Sequence, residues 1–139
     1  MNQSLQRSWF KVAAVVVGSF GPVFFLGAAG VTWPSVLTLD LLSWPVDGNM
    51  NYDAPTTRFL SALTRGFLLG WGVTIWLIGK HIYDLAPEPA RKVVVYGLLA
   101  WFVLDSAGSV ASGHASNVIV NLLVLATAVG PLRKPAQSK

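Results

Sequence analysis

An all-α integral membrane fold, a four-helix bundle with one interfacial loop or short helix between the first two helices, is predicted by three observations. The first concerns solvent: of 139 residues, 53% are hydrophobic and 12% charged, and mean hydropathy is +0.56, a balance that points to lipid rather than water. The second concerns length, because the apolar stretches 12–30, 59–79, 93–111 and 115–132 each approach the roughly 20 residues that a bilayer-crossing helix needs. The third is that lysine and arginine gather at the ends of these stretches, where cytoplasmic anchoring explains them. The whole chain, 1–139, forms a single transmembrane domain.

Residues 1–11 are a polar leader carrying Arg7 and Lys11, and residues 12–30 are apolar apart from Ser19. Gly27-Ala28-Ala29 after a charged leader would also suit signal-peptide cleavage, leaving three spans, but the length of the run and its internal Gly21-Pro22 favour a retained helix. Pro22 cannot donate to the carbonyl of Gly18, which places a kink at Gly18 to Pro22. In residues 31–58, Trp33-Pro34 and Trp44-Pro45 bracket SVLTLDLLS, an apolar segment too short to span. Tryptophan favours the membrane interface, so an interfacial helix or re-entrant flap is expected there. Asp47-Gly48 and Ala54-Pro55 signal turns, with Thr56 or Thr57 as the cap of the next helix.

The second helix, 59–79, is interrupted by Arg65, and its Gly66 and Gly70 at i, i+4 suit close approach to a partner helix. Residues 80–92 read as a loop in which Pro87 and Pro89 precede the third helix, 93–111. Ser112-Gly113-His114 is a tight turn, so the third helix and the fourth, 115–132, form an antiparallel hairpin. The basic tail, RKPAQSK, is expected to be disordered. With both termini cytoplasmic, Arg58 and Arg65 alone of the 10 basic residues fall away from the inner side, while Asp40, Asp47 and Asp53 lie in an outer loop.

The residues that need explanation are Arg65, Asp105, Ser109, His114, Asn117 and Asn121. Counted from the outer helix ends, Arg65, Asp105 and Asn121 each lie at a depth of about 9 Å. An unpaired aspartate or arginine at the centre of a membrane helix costs about 2.5–3.5 kcal/mol on insertion scales, so Arg65 is expected to pair with Asp105. The helical stripes Arg58, Ser61, Arg65; Asp105, Ser109, Ser112; and His114, Asn117, Asn121 describe a polar wedge opening outward. Two classes of function follow. In one, the cluster holds the bundle together and the chain is a structural, interaction or accessory protein, alone, as a homo-oligomer or within a larger membrane complex. In the other, the chain binds, transports or acts on a small anionic or amphiphilic molecule. There Arg65 would take the anionic group, Asp105 or His114 would exchange protons, and Asn117 and Asn121 would orient the ligand.

Absent residue types narrow the field. The chain has no cysteine, which excludes disulfides and thiolate chemistry. His81 and His114 lie at opposite faces, roughly 30 Å apart across the hydrocarbon, too far to ligate one haem. Asp47, Asn49 and Asn51 match the opening ligand positions of an EF-hand loop and Asp53 adds an oxygen, but Tyr52 stands where the glycine belongs and Arg58 where the bidentate glutamate belongs. No metal, no cofactor and no nucleic-acid partner is expected, and no residue set identifies an enzyme.

The segments GPVFFLG, RFLSALTRGFLLGWG and WFVLDSAGSVASG, with the size and the expected spans, resemble those of uncharacterised small four-helix bacterial inner-membrane proteins. The resemblance implies an inner-membrane bundle and carries no activity. Small multidrug transporters share the length and span number, but the carboxylate their first helix requires has no counterpart in 12–30.

Overall fold

The structure, a computed structural model, describes residues 3–50, 52 and 54–135. Among the described residues all regular structure is helical. The order is α1 (Gln3–Gly18), α2 (Phe20–Ala28), α3 (Trp33–Ser43), α4 (Pro55–Leu77) continuing into a π turn (Ile78–Ile82), α5 (Pro87–Ala111), and α6 (Asn117–Val129) closing in a 3₁₀ turn (Gly130–Arg133). Three helical runs are long and apolar enough to cross a membrane: Gln3–Ala28, Pro55–Ile82 and Pro87–Ala111. The last, Asn117–Arg133, is apolar but shorter. Large apolar side chains stand outward on these runs, Phe67 at 75% and Leu104 at 78% exposure, as lipid-facing positions require and a water-covered surface does not favour.

Helix boundaries depart from the sequence pattern where a neighbouring element supplies partners. The polar leader is not separate from the first span, because α1 starts at Gln3. Gln6 is fully buried; its Oε1 accepts from the Tyr83 hydroxyl at 2.7 Å and its Nε2 donates to the Lys134 carbonyl at 2.8 Å. The expected interruption is present at Ser19, between Gly18 and Phe20, where Pro22 leaves the Gly18 carbonyl without its helical donor.

Neither α4 nor α5 waits for the apolar run that follows its proline. α4 starts at Pro55 with Ala54 as its extended cap, rather than at a Thr56 or Thr57 cap, and α5 starts at Pro87, so the expected loop 80–92 shrinks to the four residues between Ile82 and Pro87. A proline in the first turn forfeits only an N–H that has no helical acceptor anyway, and its fixed φ suits the helix. Between α5 and α6 the expected turn is present. Gly113 sits at φ 84°, the His114 N–H donates to the Ser109 carbonyl at 2.8 Å and the Gly113 N–H to Val110 at 3.1 Å, the paired bonds of a Schellman close. α6 then starts at Asn117, two residues later than the apolar run suggests. The disorder expected of the tail falls largely on residues 136–139, outside the described set; Lys134 is tied by its carbonyl to Gln6.

α4 lies along both α1 and α2, α6 packs on α5 and α1, and α3 bridges α2 and α6. The core joins Phe10, Ala13 and Val17 of α1 to Ile75 of α4, Val94 and Leu98 of α5, and Ala128 and Leu132 near the end of the chain. The close helix approach runs through Gly72, where an added Cβ would meet the Gly18 Cα and the Ala14 carbonyl oxygen at 2.8 Å. Gly66 and Gly70, the expected approach pair, have nothing within 4 Å of that position. The segment between the two Trp-Pro pairs is the helix α3, with Trp33 and Trp44 exposed at its ends. It is tied to α2 by the Ser35 hydroxyl, which donates to the Val23 carbonyl at 2.9 Å. Its buried Asp40 accepts from the Gly48 N–H at 2.7 Å, closing the loop that follows.

Candidate functional site

Because the Gly113 turn is tight, α5 and α6 run back against each other with their polar stripes in register. On α5, Asp105 and Ser109 are one turn apart, and Ser106 lies beside them; on α6, Asn117 and Asn121 are one turn apart. The side-chain amide of Asn121, itself 4% exposed, donates to Asp105 Oδ2 at 2.7 Å and to the Ser106 hydroxyl at 3.2 Å. Asn117 does the same one turn nearer the loop, donating to Asp105 Oδ2 at 3.1 Å and to Ser109 Oγ at 2.8 Å. The Ser109 hydroxyl in turn donates to the Asp105 carbonyl at 2.8 Å.

This ladder fixes the Asn117 amide, since turning it over would place its carbonyl oxygen against the carboxylate. Asn117 Oδ1 is consequently buried without a hydrogen-bond donor. One carboxylate oxygen of Asp105 takes two amide N–H groups, and the residue is exposed. Its Oδ1 has no hydrogen-bond donor among the described residues.

The ladder borders a cavity of about 340 Å³, to which α2 contributes Phe20 and Phe24, α3 Leu42, α4 Thr64, Phe67 and Leu68, and α5 Trp101. Asp105, Asn117 and Asn121 are its polar wall. The space exists because α4 and α5 stand apart along most of their length, bridged by an edge-to-face contact of Trp71 and Trp101 with ring centroids 6.3 Å apart. A second cavity of about 260 Å³ adjoins it at the Gly113 end, sharing Leu42 and Asn117 and adding Ser43, Met50, Ser112 and His114. His114 Nδ1 lies 3.3 Å from the Ser112 hydroxyl, at the mouth and away from the carboxylate ladder.

Asp105, Ser109, Asn117 and Asn121 are therefore brought together as the stripes predict, with His114 at the rim. Arg65 is not part of the group. Its guanidinium carbon sits 5.0 Å from the centre of the Phe25 ring on α2, a cation–π arrangement, and among the described residues no ion pair joins it to Asp105. The expected Arg65–Asp105 bridge is absent because the two side chains face different neighbours, and with α4 starting at Pro55 Arg65 stands ten residues into its helix while Asp105 is six from the end of α5. In the outer loop Asp47 accepts from the Asn49 N–H at 3.0 Å, an ordinary Asx turn. Asn51 and Asp53, the other oxygens of the calcium reading, lie outside the described residues.

A second polar group, at the opposite end of the bundle, escapes the pattern. Around Gln6, the guanidinium of Arg91 donates to Glu88 and, at 2.7 Å, to the Leu132 carbonyl. Burial pushes the pKa of Tyr83 above its usual value, and the nearby Asp84 and Glu88 carboxylates push the same way, so its hydroxyl stays a donor to Gln6. The signal available in the sequence was a glutamine one turn ahead of an apolar run, which carries little information alone. Arg7 and Asp84 pair at 2.8 Å with both side chains about half exposed, a contact of small energetic weight.

A groove of about 580 Å³ beside Trp9, Leu99 and Leu122 lies away from the carboxylate. The chain matches no protein-family model, no curated protein and no solved structure.

Proposed function

We propose that this chain is a multi-pass inner-membrane protein with both termini cytoplasmic, whose cavity beside Asp105 holds a small amphiphilic molecule, as a binder or carrier rather than an enzyme. The observation that carries the reading is the cavity itself: about 340 Å³, within the size range of small-molecule sites, mostly apolar, with a few converging polar groups on one wall. A polar ladder that served only to join α5 to α6 would need no space beside it. The lysine and arginine bias supports the orientation, which puts the Gly113 turn and the rim cavity outside, so that access to the Asp105 wall runs past His114 and Asn117. In this reading Asn117–Arg133 serves as a fourth, short span, its length made up by the turn before it and by local thinning or tilt.

Filling the cavity tests this directly. Val120 lines it, and Val120→Trp is expected to abolish saturable binding of a neutral probe, n-octanol, followed by tryptophan fluorescence in phosphatidylcholine nanodiscs. Unchanged saturable binding by that variant, or none by the wild type, would remove the reading. Orientation is separable: the chain has no native cysteine, so cysteine placed at Asn49 should react with an impermeant maleimide from outside and cysteine at Gln137 only from inside. The reverse labelling pattern would invert the access route.

A second reading, helix association as an accessory protein, is favoured by one observation. Gly66 and Gly70 present an uncovered face on α4, the kind of surface on which membrane helices meet closely.

A further inference from the structure

We infer that the occupant of the Asp105 cavity is a cation, the protonated primary amine of an amphiphile, whose N–H groups are received by the Asp105 carboxylate. The inference rests on the cavity being an amphiphile site and adds the sign and hydrogen-bonding character of the headgroup.

The sign follows from which groups are left over. The pocket's one ionisable wall residue is a carboxylate, and Arg65, which would have made the site attractive to anions, is engaged with Phe25 outside the cavity. The hydrogen-bonding character follows from the same count. Both amide hydrogens of Asn117 and both of Asn121 are committed to Asp105, Ser106 and Ser109, and the Thr64 hydroxyl donates to the Leu60 carbonyl at 2.9 Å. What stands open is the carboxylate: Asp105 is exposed, and both amide bonds to it fall on the one oxygen, Oδ2.

A carboxylate in a membrane helix without a counter-ion is costly. An ammonium group, with three N–H donors and a positive charge, answers it. The remaining wall suits the rest of such a molecule. Phe20, Phe24, Phe67 and Trp101 offer aromatic faces that attract a cation and apolar surface for a short alkyl chain. An anion would meet the carboxylate with no free amide to receive it.

Four probes with one chain length separate the possibilities: n-octylamine, n-octyltrimethylammonium, n-octanol and n-octanoate, each titrated into the full-length protein in phosphatidylcholine nanodiscs at neutral pH, with empty nanodiscs as the partition blank. Octylamine is expected to bind about tenfold tighter than octanol, equivalent to about 1.4 kcal/mol, and octanoate weakest. The trimethylammonium probe, which has no N–H to give, should fall well below octylamine. Asp105→Asn should lose the preference for the amine over octanol. Saturable octanol binding with no advantage for octylamine in the wild type would overturn the cation inference while leaving the amphiphile site standing; so would octanoate binding tightest. Equal binding of the two cations would overturn the assignment to N–H recognition. No saturable binding of any probe would instead defeat the pocket reading on which the inference rests. Because the comparison of probes is made on the wild type, it decides the matter even if Asp105→Asn does not fold.

Discussion

Gly72→Val is expected to push α1 and α4 apart and lower the melting temperature of the detergent-solubilised protein by roughly 5 °C or more, the consequence of an overpacking strain of about 1–3 kcal/mol. The reason is the identity of the neighbouring atoms. An added Cβ at Gly72 would lie 2.8 Å from the Ala14 carbonyl oxygen, 2.8 Å from the Gly18 Cα and 3.0 Å from the Gly18 nitrogen. These are backbone atoms of the facing helix and cannot rotate away as a side chain would. α4 packs along α1 and α2 together, so separation at Gly72 would loosen contacts on both sides of the Ser19 interruption. Gly66→Ala and Gly70→Ala provide the control, with nothing within 4 Å of the added carbon and alanine the better helix former by about 1 kcal/mol. Scanning fluorimetry of the three variants decides the matter. If Gly72→Val melts with the two controls, the α1–α4 contact is not the close approach described.

The contrast between Gly72 and Gly66/Gly70 marks what was legible in the sequence. Depth along a helix is read directly from residue number, because each residue advances about 1.5 Å, and the apolar runs show themselves because lipid tolerates little else. Azimuth is another matter. At about 100° per residue, Gly70 and Gly72 lie on nearly opposite faces of α4, and composition alone does not say which face meets α1. The same gap explains Arg65. The apolar pattern sets it level with Asp105, yet it is directed to Phe25, and the start of α4 at Pro55 places it ten residues into the helix rather than six.

Asp105, Ser109, Asn117 and Asn121 were legible as a group for a physical reason: a tight turn at Gly113 fixes both the depth and the facing of the helices it joins, so i, i+4 stripes on each side must meet. Helix ends were legible only where the chain itself dictates them. Pro22 interrupts α1 from α2 by removing a donor, whereas the start of α1 at Gln3 depends on Tyr83 and Lys134, residues distant in sequence. Ser106, which receives a hydrogen bond from Asn121, was missed because a serine beside Asp105 reads as one more small residue of the helix face.

Those distant partners are also where the other large effect is expected. Arg91→Met keeps most of the aliphatic stem of a residue that is 9% exposed and removes the guanidinium, which joins Glu88 on the first turn of α5 to the Leu132 carbonyl after α6, near the chain ends that Gln6 holds to Tyr83 and Lys134. Leu132 is fully buried, so its carbonyl, 2.7 Å from Arg91 Nη1, loses a charged donor that water replaces poorly. Hydrogen bonds to a charged group contribute about 1.5–3 kcal/mol each, and the expected loss is of that order, read as a fall in melting temperature in detergent. Glu88→Gln combined with Arg91→Met should recover little of it, since Lys92 Nζ lies 3.9 Å from Glu88 Oε1 and still faces the carboxylate in the single variant; the Leu132 carbonyl remains unserved in both, so the double variant should not reach the wild type. Arg91→Lys should fall short as well, because one ammonium cannot reproduce a fork that serves Glu88 and Leu132 together. A melting temperature for Arg91→Met equal to that of the wild type would mean that the ends of α5 and α6 are held by apolar packing around Leu98 and Leu132 alone, and that the buried polar group is incidental to the fold.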